Sequence, residues 1–517
     1  MIQIGTVRNM MQSRARTLIA ASVTVAMAPA SAAASPLFEL VGDPSGAGGL
    51  TARVNADGPA AAYFNPALLA DAADGFALGV FIVGQRLGVI VDGRSGSPLC
   101  AAGACDVPSV DDRGPESFRH EMSGEAISDP TLPTSWLQNG HDTLTPRPRQ
   151  AGGTGRQTRA YQTVGLVAPI FKKRVVLGLF AMIPLGEFTT AKAFYNDERE
   201  QYFSNSVHPE MYGDRLTATS LAFGGGIRLR EDLAVGGTFT LSLANQASAP
   251  VYVSNLNNLD TVLLDSDIAV KASVSPHVGV VWTPAARAKV VATVHSPQAF
   301  RIATGFNYTL ATGSEQSTTL HFTHSYMPLT VATGGSYRFT GDGDGDGDGW
   351  SATAVTSYAR WSQYRDRHDV NPGGAYGWSD TLSGAAGVRY TRDGLAARLD
   401  LAFVPTPVPP QTGRSNYADS DRLGAAGGVE KKFSLWGSNF RAGFDLIAHR
   451  VFRNHVTKFV DVSNPELVLD EVPDDAVDVL GTAVPNRIGL QTNNPGFPGF
   501  AFGGWILGGG ARLAIEY

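Results

Sequence analysis

His295 and Ser296 stand side by side at the end of an alternating apolar run. A histidine beside a serine is the least that a hydrolytic nucleophile requires. No acidic residue can be assigned as their third partner. The chain also lacks a Gly-x-Ser-x-Gly elbow, a His-Glu-x-x-His pair and a phosphate-binding loop. A pair without an orienting acid does not define an enzyme, so no catalytic residue is expected. Gly341 to Gly349 alternates glycine and aspartate like the opening of a calcium loop. Counted from Asp342, the twelfth position is Thr353 rather than the glutamate that closes such a loop, so an acidic turn is expected. Cys100 and Cys105 are close enough for a local disulfide. A two-thiol metal site is the alternative, but no histidine lies near the pair. No metal or other cofactor is expected.

The compartment follows from the first residues. Arg8, Arg14 and Arg16 precede a short apolar stretch from Thr17 to Met27, and small-x-small cleavage sites follow at Ala30-Ser31-Ala32 and Ala32-Ala33-Ala34. Residues 1–34 are therefore expected to be a secretory signal peptide. An exported chain meets oxidising conditions, which favours the disulfide. No later run is long and apolar enough for a transmembrane helix. Glycine is abundant at 59 residues, only 17% of residues are charged, and the hydrophobic share is 43%, too low for a helical membrane protein. A β-barrel averages out this way because one face of each strand is lipid-facing and the other wet. The net charge of −6 argues against nucleic acid as a partner.

The elements that would position any site are strands. Parity and turn signals predict fourteen, near 76–92, 158–170, 174–188, 216–230, 233–248, 267–283, 287–303, 327–340, 350–366, 380–392, 395–405, 420–434, 439–453 and 501–517. Their connections alternate between tight turns, such as Glu231-Asp232 and Asp393-Gly394, and long polar stretches, such as 93–157 and 454–500. That asymmetry is expected of an outer-membrane barrel with its long loops outside. In the last segment Trp505, Leu507, Ala511, Leu513, Ile515 and Tyr517 share one parity, against Arg512 and Glu516. Leu395, Leu399, Leu401 and Phe403 likewise oppose Arg398 and Asp400. Phe440, Phe444 and Leu446 oppose Arg441, Asp445 and His449. The charged sets would face the lumen and pair there. Trp282, Trp350 and Trp436 fall near short turns, and Trp361, Trp378 and Trp505 toward long loops, as two interfacial aromatic bands would. The fold class is thus all-β: a transmembrane antiparallel barrel, residues 75–517.

Two strands are apolar on both faces; in the first, Phe76, Leu78, Val80 and Ile82 share one parity, and Phe81 and Val83 the other. Val175, Leu177, Leu179, Ala181 and Ile183 share one parity, and Val176, Phe180 and Met182 the other. Phe180 and Met182 are the candidates for a hydrophobic lumen surface, touching a plug or a greasy cargo. Pro184 and Gly186 follow at once. They mark either a kink that opens the wall or a simple strand end.

Residues 35–74 precede the first strand and are rich in small residues, ending in Tyr63-Phe64-Asn65-Pro66-Ala67-Leu68-Leu69. Here the chain resembles the long-chain fatty acid outer-membrane transporters, the FadL/TodX family. Asn65, Pro66 and Ala67 match the Asn-Pro-Ala of that family's N-terminal hatch. Pro405 to Pro410 with Ser420-Asp421-Arg422 resembles its proline-rich loop, and Asn494 to Phe500 the stretch leading into its last strand. The resemblance implies a fourteen-stranded barrel plugged by a hatch. It implies passive uptake of hydrophobic cargo, fatty acids or related compounds, with sideways exit near a kinked third strand. The expected partners are that cargo, outer-membrane lipid and, through the C-terminal strand, the barrel assembly machinery; a monomer is expected. A diffusion porin for polar solutes and a surface adhesin or receptor are the competing functions. A porin would have no hatch.

Overall fold

The computed structural model describes residues 36–91, 153–170, 174–186, 207–209, 211–216, 218–248, 251–253, 262–264, 267–309, 315–339, 348–366, 369–411, 416–458 and 499–517. The expected signal peptide, Cys100, Cys105 and most of the Gly-Asp run lie outside these residues.

Fourteen strands close into one antiparallel ring. In chain order β1 to β6 are Gly75–Val91, Gly153–Ile170, Val175–Leu185, Thr219–Arg230, Leu233–Ser248 and Asp267–Ala285. Next come β7 to β10, which are Ala288–His295, Thr330–Arg338, Gly349–Ala359 and Thr381–Arg392. The ring ends with β11 to β14, at Leu395–Val404, Arg422–Leu435, Ser438–Thr457 and Gly499–Glu516. Closure comes from β1 against β14, in register from Gly75 opposite Glu516 to Val91 opposite Phe500. A closed ring leaves no strand edge, the condition for a sheet to cross lipid.

Burial follows the parity. Leu399, Leu401 and Phe403 are exposed, while Asp400 between them is 3% exposed. Phe239 is 50% exposed and its neighbours Thr238 and Thr240 are buried. The exposed set runs round the ring as an apolar belt, far more than a water-soluble surface shows.

Two expectations need correction. The segment expected at 287–303 is not one strand, because β7 ends at His295. Gln298–Thr309 instead pairs with Glu315–Met327 in a separate hairpin. Pro297 and Pro328 flank that hairpin, and neither can donate to a ladder, so both ends leave the ring there. The outer aromatic band is also incomplete. Trp505 is exposed, but Trp378 is buried and stacked on Tyr364, and Trp361 lines a cavity. The three tryptophans near the short turns are exposed as expected.

Before the ring comes a compact helical segment. It contains α1 (Pro36–Val41), α2 (Ala52–Asn55), α3 (Ala61–Phe64) and a 3-10 turn, Pro66–Asp71. Helices this short are not stable alone. They persist through contacts with the strands.

Candidate functional site

The N-terminal segment is tied together by its own polar groups. Asp43 accepts from the Ser45 amide at 2.8 Å, the Ser45 hydroxyl at 2.9 Å and the Gly48 amide at 3.1 Å. This closes the glycine-rich turn on one carboxylate. Asn65 caps the 3-10 turn: its Oδ1 accepts from the Ala67 amide at 3.2 Å, and its Nδ2 donates to the Arg53 carbonyl at 3.1 Å. Pro66 sits at the first position of that turn, where no amide donor is needed. The Asn-Pro-Ala stretch is thus a capped chain reversal, with all three residues buried.

On one side the segment meets β2 to β6 by shape. Gly226 and Gly236 face the Pro66 backbone, Gly279 faces the Asn65 side chain, and Gly178 faces Leu69. A side chain at Gly236 would overlap Pro66 itself. Phe38 packs on Phe180 with ring centroids 5.0 Å apart, and on Tyr63 at 4.7 Å. Phe180 and Met182 are fully buried.

On the other side it meets β10 to β14 by charge. Asp400 accepts from the Leu50 amide at 3.0 Å and the Thr51 hydroxyl at 3.3 Å. Arg398 donates to the Gly46 carbonyl at 3.0 Å and Arg389 to the Ala47 carbonyl. Arg441 pairs with Asp57 at 2.9 Å. Behind these groups Arg398 meets Asp445 at 2.6 Å, and Arg512 meets Glu430 at 2.7 Å and also Asp445. The expected pairing of these interior charges is present for Arg398 and Asp445. Arg441 instead reaches the N-terminal segment as well as Glu516, at 2.5 Å.

A polar knot lies within the segment. Arg53 grips Glu39 through two hydrogen bonds, 2.7 and 3.0 Å, and Tyr63 donates to the same carboxylate at 2.8 Å. Burial raises the Glu39 carboxyl, but the Arg53 charge and these hydrogen bonds outweigh it and leave it below the usual range. His295 points into this knot, with its ring 4.0 Å from that of His277 and 5.1 Å from that of Tyr63. Ser296 turns elsewhere, to Ser275 at 3.0 Å. The adjacent histidine and serine therefore do not act on each other.

Glu39 and Arg53 also line a cavity of about 160 Å³. Leu40, Met211, Leu216, Tyr326, Met327 and Trp361 give it apolar walls. Its polar residues include Asp419, Ser420 and Arg422 on the approach to β12. The proline-rich stretch expected to matter also borders it through Pro405 and Pro407. Thr406 fixes that stretch, since its amide donates to Asp421 at 2.8 Å and its hydroxyl to Asp419 at 2.5 Å.

At β3 the ladder to β4 ends at Met182 opposite Ser220, while the ladder to β2 runs on to Leu185. Among the described residues Pro184 therefore has no paired β4 partner, and Gly186, at φ +132°, follows the strand end. Sequence reasoning missed Glu39, Arg53, Asp57 and Asp419. Glu39 carried a signal, as the one charge in the apolar run Pro36–Val41.

A closed fourteen-stranded ring, greasy outside and charged within, defines the membrane β-barrel class. No protein-family profile and no curated protein matches the sequence. Among solved structures the chain is similar to a Pseudomonas aeruginosa FadL homologue, with a TM-score of 0.51 and 14% identity over 95% of this chain and 99% of that one. It is also similar to the monoaromatic hydrocarbon channel CymD, with a TM-score of 0.45 and 12% identity over 94% of this chain and 99% of that one. At such identities the likeness to the Pseudomonas structure establishes a shared fold.

Proposed function

We propose that this chain is an outer-membrane channel for passive uptake of hydrophobic molecules, with residues 35–74 as a hatch seated in the lumen of the 75–517 barrel. The observation that carries this reading is the apolar-walled cavity bordered by Glu39 and Arg53 of the N-terminal segment. A site for greasy cargo ends there on the very element that must move to let it pass. The fold shared with a FadL homologue supports the same class of cargo, long-chain fatty acids or related compounds.

In this reading cargo settles in the cavity, and the hatch shifts. Phe180 and Met182 then give the cargo an apolar surface in place of Phe38. Pro184 and Gly186 mark the exit, where β3 has already lost its ladder to β4. Sideways release keeps apolar surface out of water. The Asn65-Pro66-Ala67 reversal is the pivot side of the hatch. Outer-membrane lipid surrounds the exposed belt, the last strand meets the assembly machinery, and the barrel works as a monomer.

Removing residues 35–70 tests the hatch. Single-channel recordings in planar bilayers should change from closed to open. Unchanged conductance would place the segment outside the lumen. Phe180→Asp tests the path. A buried carboxylate without a partner is strongly disfavoured and holds water where cargo must pass. Cargo uptake should fall while heat-modifiable folding stays normal. Normal uptake in a folded variant would remove Phe180 from the path. A porin would conduct small ions in the intact chain.

A further inference from the structure

The outer face of the barrel carries positive charge at its closure seam. On β1, Val83, Gln85 and Leu87 are buried, while Ile82 and Ile90 are exposed. Arg86 shares the exposed parity and is itself exposed. On β13, Asp445, Ile447, His449 and Val451 are buried, while Phe444, Leu446 and Phe452 are exposed. Arg450 shares the parity of that exposed set. Between them on β14 stands Trp505, 47% exposed. The register sets Arg86 opposite Trp505 and Trp505 opposite Arg450. The three therefore form one row across three adjacent strands. The central carbon of the Arg450 guanidinium lies 5.0 Å from the centre of the Trp505 ring.

The height of the row follows from strand geometry. Arg86 stands eleven residues beyond Gly75, at the short-turn end of β1. At about 3.4 Å per residue and a tilt of about 40°, that is roughly 28 Å, against an apolar band about 25 Å tall. The row thus lies at the outer boundary of the hydrocarbon, on the side where the long connections 92–152 and 458–498 leave the strands. The next residues in register round the ring, Leu423 on β12 and Phe403 on β11, are exposed and apolar. No carboxylate has the outward parity on β1, β13 or β14. Among the described residues nothing pairs with the Arg86 guanidinium, and Arg450 reaches the Gly504 carbonyl at 3.4 Å and the Trp505 ring.

We propose that the Arg86–Trp505–Arg450 row is a docking site for a phosphorylated glycolipid of the outer leaflet, with its phosphates on the two guanidinium groups. An arginine on the lipid face is disfavoured within the hydrocarbon and tolerated at its edge, where anionic headgroups stand. The planar guanidinium fork matches phosphate oxygens and donates two charge-assisted hydrogen bonds at once. One strand separates the two arginines, so their backbones are about 10 Å apart. A headgroup reaching both would span β1, β14 and β13 and clamp the seam where the ring closes. An indole beside them suits the same boundary, apolar in body and polar at its N–H. The surface lies outside the barrel, so the inference does not depend on what the lumen carries.

Lipid A, lipid A stripped of its phosphates, and phosphatidylglycerol, each titrated onto the full chain in detergent micelles and read by native mass spectrometry, test the assignment. Lipid A should bind about tenfold or more tighter than either of the others. Changing Arg86→Gln and Arg450→Gln together should abolish that preference and leave heat-modifiable folding normal. Arg86→Lys with Arg450→Lys, which keeps the charges and loses the forks, should retain part of it. Equal binding of lipid A and its dephosphorylated form, phosphatidylglycerol as tight as lipid A, or an undiminished preference in the glutamine variant would overturn the proposal. Displacement of lipid A by an equal concentration of inorganic phosphate would overturn it too, by assigning the row to the free ion. If the glutamine variant fails to fold, the lysine variant and the ranking in the unaltered chain decide.

Discussion

Toward β2 to β6 the N-terminal segment meets glycines and aromatic rings; toward β10 to β14 it meets arginines and carboxylates. The first contact works by shape. Glycines at Gly226, Gly236 and Gly279 let the Asn65–Leu69 reversal approach the strand backbone. Close packing of that kind is lost when even a small group is added. The second contact works by hydrogen bonds between charged side chains and the segment's backbone. Each exists in a buried setting where an unmade bond is costly but a made one adds little beyond its hydrated alternative. The hatch proposed above would use the two differently. The shaped side holds one position closely, and the charged side can exchange its partners for water one at a time.

Breaking the shaped side should have the largest effect. Gly236→Leu places a side chain into Pro66, and the segment cannot keep its seat. The expected outcome is an intact, heat-modifiable barrel with the open conductance of the 35–70 deletion. A closed channel with normal stability would show that the glycine side is not what seats the segment.

On the charged side, Asp400→Ala removes the acceptor of the Leu50 amide and the Thr51 hydroxyl. Arg398 keeps Asp445 at 2.6 Å, so the wall itself retains a pair. Hydrogen bonds to a charged group contribute about 1.5–3 kcal/mol each, so a loss on the order of 3 kcal/mol is expected. Hydrogen exchange at the Leu50 amide should speed up by about a hundredfold, with strand amides unchanged. Unaltered protection at Leu50 would mean that the charged side does not hold this turn.

The smallest effect sharpens the comparison within the segment. Asn65→Ala removes the cap on the Pro66–Asp71 turn and should cost about 0.5–2 kcal/mol. Proteolysis should become faster in the N-terminal segment alone. A loss as large as that of Gly236→Leu would show that the cap, rather than the close approach of the strands, sets the position.

The strands were legible in the sequence because a strand's period is local: Leu399, Asp400 and Leu401 declare their faces without reference to any distant residue. Closure of the ring followed from the same pattern, since fourteen such strands have no other way to satisfy their edges in lipid. The hairpin at 298–327 was missed although Pro297 and Pro328 bracket it, because a proline also marks ordinary strand ends. The expected pairing of interior charges was right in kind, and Arg398 with Asp445 followed it. That Arg441 would reach Asp57, 384 positions away, could not be read from either neighbourhood.

What the sequence alone determined is the strand parity and the existence of a small-residue segment before the first strand. These are properties of consecutive residues. Only the tertiary structure decided which wall meets the segment by shape and which by charge. Only it brought Glu39 to Arg53 beside a cavity and Asp419 beside Arg422 at the cavity's edge. Those relations depend on which strands become neighbours when the ring closes, and on how short helices that cannot stand alone settle against them.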